Sequence, residues 1–177
     1  MKSDMEAFLQ MMAKFHMENG QASLPALLLE KGSWFEGRAD SDEYAASKQW
    51  KKKRKPEAQD CFYNSQEFCA EGNGTQYFEG FVIVQSGIIP SEHAWVVMQD
   101  GRVVDFTLEA LEVIVAENGN TVDSRGALYV GVEVPSAIIA ERLAKTGWYE
   151  SIAELFYNDQ IQKITSGAHC KETLTKS

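Results

Sequence analysis

The apolar positions of this chain change period along its length, and each change marks an element. From Asp4 to Glu18, Met5, Phe8, Leu9, Met12 and Phe15 recur at helical spacing behind Ser3, a good capping residue, and Asn19-Gly20 ends the run. Ser23 followed by Pro25 starts a second, short helix through Leu27, Leu28 and Lys31, stopped by Gly32. Met11, Met12 and Met17 are expected as core filler. Gly32 to Pro56 is polar and mixed, with Trp34, Phe35, Tyr44 and Trp50 as anchors and helical character over Asp42 to Lys53. Asp60 stands at the N-cap of a helix from Cys61 to Ala70, closed by Gly72-Asn73-Gly74.

Strand patterns then arrive together. Gln76 to Gln85 is rich in aromatic and β-branched residues, Gly87 to Pro90 turns the chain, and a second strand carries His93. Leu108 to Val115 fits helix or strand, Glu117 to Gly126 is a polar loop, and Leu128 to Val134 is a further strand. Pro135-Ser136 opens a helix to about Thr146, closed by Gly147, and Tyr149 to Tyr157 reads as a final helix with Ile152, Leu155 and Phe156 inward. Strands that come in a group, between helices at both ends, predict an α+β fold with an antiparallel sheet. One domain over 1–177 is expected, with N-terminal helices at 4–31, a core at about 59–134 and C-terminal helices at 136–158. The polar tail from about 160 to 177 is expected to be loosely held.

The segment His93 to Thr107 forms a hairpin whose loop length decides which side chains share a face. A two-residue Asp100-Gly101 turn would pair Gln99 with Arg102 and send His93 and Asp105 to opposite faces. A three-residue loop with Gly101 left-handed pairs Met98 with Arg102, sets Trp95 opposite Asp105 and leaves His93 diagonal to Asp105, about 7 Å or less between Cβ atoms. The second register is the expected one, because it also gathers Ala94, Val96, Met98, Val104 and Phe106 on one apolar face.

Composition narrows the function classes. A formal charge of −9 argues against nucleic acid as the main partner, since phosphate neutralisation needs a basic face. The run Lys51-Lys52-Lys53-Arg54-Lys55 matches a nuclear-localisation or anion-binding patch, but the expected reading is a solvated loop or helix end, since such runs are common by chance. Charges crowd the first residues where a secretory signal needs an apolar run, and no stretch approaches the ~20 apolar residues of a membrane helix. A cytoplasmic protein with no membrane contact is therefore expected. Cys61, Cys69 and Cys170 form neither a paired framework nor a CxxC motif and are expected as free thiols.

Cys61, His93 and Asp105 are the candidate catalytic residues. The thiolate is the nucleophilic form of cysteine, and a helix N-terminus favours it through unpaired N–H groups and the helix dipole. Those same N–H groups can form an oxyanion hole. His93 would take and return the proton while Asp105 fixes the imidazole tautomer. Gln59, Asn64, Gln66, Glu79 and Trp95 are candidate substrate or oxyanion contacts, Glu79 also reading as a satisfied strand residue. Asp105 also reads as a cap for Thr107 onward. Cys61, His93 and Asp105 are chemically suited to a metal too, but no fourth ligand stands at characteristic spacing, so no metal and no cofactor is expected.

These residues resemble the transglutaminase-like branch of the papain-like cysteine fold. That family carries Cys at a helix start, a strand bearing His-Ala-Trp and an Asp followed shortly by Thr, matched here by Cys61, His93-Ala94-Trp95 and Asp105-Phe106-Thr107, with Glu79-Gly80 on the intervening strand. The resemblance spans roughly Asp60 to Thr107. Phe106 stands where the family often has proline, and no tryptophan directly precedes Cys61. It implies acyl transfer through a thioester, to water or to an amine, on a peptide, protein side-chain amide or small amide. The competing expectation is a non-catalytic binding protein that keeps the fold.

Overall fold

The computed structural model describes residues 1–21, 23–73, 75–84 and 89–164. Helix α1 (Lys2–Glu18) buries Met5, Leu9 and Ala13, a stripe only one residue wide per turn. Met11 and Phe15, expected inside, are exposed at 60% and 58% because they project from the opposite flank of the helix. Helix α2 (Leu24–Lys31) has Pro25 in its first turn, where a missing N–H costs nothing, and buries Leu24, Leu27 and Leu28. The chain then forms β1 (Ser33–Glu36), a short 3-10 turn (Ser41–Glu43) and α3 (Ala45–Arg54). Lys51 to Arg54 make up the last turn of α3, where cations meet the helix dipole, and Lys51, Lys53 and Arg54 pair with Asp42, Glu109, Glu67 and Glu71. That pairing accounts for three of the five cations in the basic run.

Helix α4 (Cys61–Ala70) leads into β2 (Gln76–Ile83), β3 (Ser91–Val97) and β4 (Val103–Val104); α5 (Phe106–Glu117), β5 (Leu128–Val134), α6 (Ser136–Thr146) and α7 (Ala153–Phe156) follow. Residues 158–164 are also helical. The fold is α+β, and every strand pair of its five-stranded sheet, ordered β1-β5-β2-β3-β4, is antiparallel. Gly87 and Ile88 of the turn expected at Gly87 to Pro90, and the tail with Cys170, lie outside the described residues. Among the described residues no helix is long and apolar enough to cross a membrane.

The sheet curls. After β1 the chain continues across to the other edge, where the Ala39 N–H donates to Val103 O at 2.8 Å. The concave face encloses Phe78, Trp95, Val97, Leu108 and Tyr129, while α1, α2, α4 and α6 cover the convex face with Leu9, Leu27, Phe68 and Ile139. Gly80 and Gly131 sit opposite each other across β2 and β5. A Cβ on Gly80 would come within 2.0 Å of Val130 O, and one on Gly131 within 2.5 Å of the Trp95 ring. The curl brings those strands and that indole too close for any side chain.

Arg38 ties the loop after β1 to α5. Its guanidinium, 3% exposed, meets Glu109 at 3.0 Å and also reaches Glu112, Ser124 and Ala39 O. These bonds answer the need of a buried cation for several acceptors at once.

Candidate active site

The hairpin takes the three-residue register. Met98 N donates to Arg102 O at 2.9 Å, Val96 pairs with Val104 and Val97 with Val103, and Gly101 adopts φ +82°. Because β4 is only two residues long, the edge of β3 before Val96 is not paired with β4. His93 and Asp105 meet there: His93 Nε2 lies 2.7 Å from Asp105 Oδ2. The bond leaves Nδ1 as the ring nitrogen open to another partner.

Cys61 acts on the same ring. It is the first residue of α4, whose phase is set one turn later by the Ser65 hydroxyl donating to Ala94 O at 3.1 Å, beside His93. The Cys61 thiol favours the charged form of the imidazole. Asp60 makes no side-chain capping bond, so the first-turn N–H groups of α4 have neither an intrahelical partner nor a cap. Burial disfavours a charged imidazole at His93, but the Asp105 charge and hydrogen bond, with Cys61 adding to them, outweigh it and push the value up from 6.5 to about 10. Cys69, the other described cysteine, differs sharply: burial pushes its thiol up to about 11, against a smaller opposing effect of the Thr75 hydroxyl.

Asp105 has two jobs. Oδ1 accepts from the N–H groups of Thr107 and Leu108 at 3.1 and 3.0 Å, capping α5, while Oδ2 accepts from His93 and from the Tyr129 hydroxyl at 3.1 Å. Four bonds fix the carboxylate in plane and position. Both sequence expectations for Asp105, partner of the imidazole and cap of a helix, describe the same side chain.

The remaining candidates are placed as follows. Asn64 is fully buried: its amide donates to Glu57 O and to Thr107 Oγ1, and its Oδ1 accepts from Glu57 N. With all of those atoms engaged it clamps the loop before Cys61 to the start of α5 and has no donor left for a substrate. Glu79 is completely buried and accepts from Tyr77 Oη, Ser151 Oγ and the N–H groups of Ile152 and Ala153. Burial raises its carboxyl above the ordinary value, and those bonds oppose the rise. Trp95 packs inside the curl against Phe78 and Tyr129, with Nε1 lacking a partner among the described residues. Gln59 is exposed and lines an apolar groove with Phe106, Leu111, Val113 and Ile114.

Tyr129, Ser65, Thr107 and Tyr77 were not singled out for these contacts by the sequence, and Gln66, a candidate oxyanion donor, is engaged elsewhere. Gln66 Nε2 donates to Tyr77 Oη at 2.9 Å and to Glu150 O. Cys61 and His93 are only 9% and 6% exposed. Neither residue lines the two large cavities, one of about 710 Å³ at Gln59 and α5 and one of about 580 Å³ at Trp34, Arg38 and Arg102. Cys61 and His93 therefore sit beneath the surface rather than in the most open hollows. Among the described residues no group of three or more His, Cys, Asp or Glu is arranged to hold a metal ion.

Comparison with family models, with curated proteins and with solved structures finds no match for this chain.

Proposed function

We propose that this chain is a cysteine-dependent acyl-transfer enzyme with a papain-like, transglutaminase-like core, acting on an amide or ester carbonyl. The observation that carries the reading is the buried His93–Asp105 bond, with the Cys61 thiol acting on the same imidazole. The match of Cys61, His93-Ala94-Trp95 and Asp105-Phe106-Thr107 to the family pattern supports it.

In this mechanism Cys61 gives its proton to His93, and the raised proton affinity of the imidazole favours that transfer. The thiolate adds to the carbonyl carbon, a C–S bond forms, and the carbonyl π pair moves onto oxygen. The unpaired N–H groups of the first turn of α4 stabilise that oxyanion. Collapse breaks the bond to the amine or alkoxide, which leaves with the proton from His93, and a thioester remains. Water or an amine then adds while His93 takes its proton, and departure of the thiolate releases an acid or a new amide. Asp105 orients the ring and balances the imidazolium throughout. The substrate class is a peptide, a protein side-chain amide or a small amide.

Thiol reactivity tests this. Iodoacetamide at pH 6 should alkylate Cys61 far faster than Cys69, Cys61→Ser should abolish the fast labelling, and His93→Ala should slow it. Equal, slow labelling of both cysteines would sink the enzyme reading. A non-catalytic binding protein is the second reading, favoured by the low exposure of Cys61 and His93; that same labelling result would select it.

A further inference from the structure

Cys61 stands on a helix turn that no side-chain cap secures. Asp60 makes no capping bond, and helix ends are where fraying concentrates. A nucleophile, by contrast, must be held to within a fraction of an ångström of its base. What holds this turn is one side chain three residues on. Asn64, fully buried, accepts from Glu57 N at 3.3 Å through Oδ1. Its Nδ2 donates to Glu57 O at 2.7 Å and to Thr107 Oγ1 at 2.8 Å, and its main-chain N–H donates to Asp60 O at 2.8 Å. The chain that enters Cys61 is thus wound around Asn64, and the same amide carries the helix across to α5. Residues three and four apart are neighbours on a helix surface, so Asn64 and Ser65 flank the turn next to Cys61. Ser65 bonds Ala94 O on β3, beside His93, while Asn64 bonds Thr107, whose own N–H is held by Asp105 Oδ1. The helix of the sulfur is therefore fastened at one point to the strand of the base and at another to the helix that the base's partner caps. The Phe68 and Phe106 rings, with centroids 4.9 Å apart, also join α4 to α5, but a ring contact tolerates sliding where a directional hydrogen bond does not.

We propose that Asn64 and Thr107 are a positioning pair: their bond sets where the Cys61 sulfur stands relative to His93 by tying the first turn of α4 to the helix start that Asp105 caps. The inference rests on the acyl-transfer reading and deepens it, and neither residue touches the reacting atoms. A bridge of this kind makes the nucleophile and the orienting carboxylate move together. Any shift of α5 that carries Asp105, and with it the imidazole, also carries Asn64 and the turn that bears Cys61. Thr107 serves the two sides with separate atoms, its N–H to Asp105 and its Oγ1 to Asn64. The hydroxyl can therefore be removed while the cap of α5 stays.

Thr107→Val tests the pair, because it puts a methyl of like size in place of the hydroxyl and keeps the N–H. Cys61 alkylation by iodoacetamide is followed on the intact chain by mass spectrometry at pH 6 and at pH 9. An unassisted thiol with an ordinary pKa of ~8.5 is only about 0.3% ionised at pH 6. The rate there depends on the imidazole standing beside the sulfur, whereas the rate at pH 9 reports mainly access. Thr107→Val should lower the pH 6 rate at Cys61 roughly tenfold or more and change the pH 9 rate by no more than about twofold. Thr107→Ser, which restores the hydroxyl, should recover most of the loss. A purely structural Thr107 would lower the unfolding midpoint and leave the ratio of the two rates where it was. That outcome in a folded variant overturns the pairing, as does a serine variant no faster at pH 6 than the valine one. Thr107→Ala against Thr107→Ser makes the same comparison without a carbon in the oxygen's place, and serves if the valine variant does not fold. Failure of the acyl-transfer reading shows instead in the native chain, as a Cys61 no faster than Cys69 at pH 6.

Discussion

Tyr129 donates its hydroxyl to Asp105 Oδ2 at 3.1 Å, the same oxygen that meets His93 Nε2. A donor on that oxygen draws charge from it, so Tyr129 tempers how strongly Asp105 holds a proton on the imidazole. Tyr129→Phe keeps the ring against Trp95 and removes only the hydroxyl. The expected outcome is a His93 titration shifted upward in a histidine-detected NMR experiment, with a stability loss of about 1 kcal/mol. A loss of stability with the His93 titration unmoved would reduce Tyr129 to a packing residue.

Asp105 couples the site to the fold, and two substitutions separate the couplings. Asp105→Ala removes the cap of α5, costing about 1 kcal/mol. It also strands His93 and Tyr129 in a buried setting at about 1–3 kcal/mol for each group left unpaired. Asp105→Asn keeps an oxygen for the Thr107 and Leu108 N–H groups but removes the charge facing His93. Urea unfolding should show the alanine variant as the less stable, while fast Cys61 alkylation is lost in both. Equal stability of the two variants would deny the capping role.

The raised proton affinity of His93 carries a sign for stability against pH. Its folded value of about 10 stands above the ordinary 6.5, so the folded state binds the proton more tightly than the unfolded chain. The resulting stabilisation is fully present below pH 6.5 and is lost as pH rises through about 10. Denaturant midpoints measured from pH 6 to 10 should fall for the native chain and flatten in His93→Gln. A native midpoint that rises over that interval contradicts the assignment.

Gly80→Ala tests the tight curl. The added methyl would meet main-chain Val130 O at 2.0 Å, so the backbone of β5 must yield. Overpacking of this kind costs about 1–3 kcal/mol or more. Thermal unfolding should register the loss, and the Trp95 fluorescence environment should change with it. A variant as stable as the native chain would mean that β2 and β5 are not held this close.

Much of the site was legible because its signals are local. Cys61 opens α4 as the Asp60-to-Gly72 pattern indicates, and the hairpin register follows from a glycine suited to a left-handed turn and from the apolar face it completes. Leu128–Val134 was readable end to end from its apolar run between turn signals. What was not legible depends on partners far along the chain. Ser33–Glu36 is a strand because β5 pairs with it, and its four residues hold too little pattern to announce this. The final helix expected over Tyr149 to Tyr157 shrinks to Ala153–Phe156 because Glu79 takes the N–H groups of Ile152 and Ala153. Tyr129 reaches Asp105 only through the curl of the sheet across three strands, which no spacing encodes.

The one main-chain bond from Ala39 to Val103 is the seam of the curled sheet, and its position has a mechanical consequence. Val103 lies two residues before Asp105, so the carboxylate hangs from the strand that peels away most easily. Its bearing is kept instead by the helix that it starts, through Thr107 and Leu108, and by the Tyr129 hydroxyl from the far side. Thermal breathing of the sheet at that seam can thus come and go while the aim of the imidazole stays unchanged.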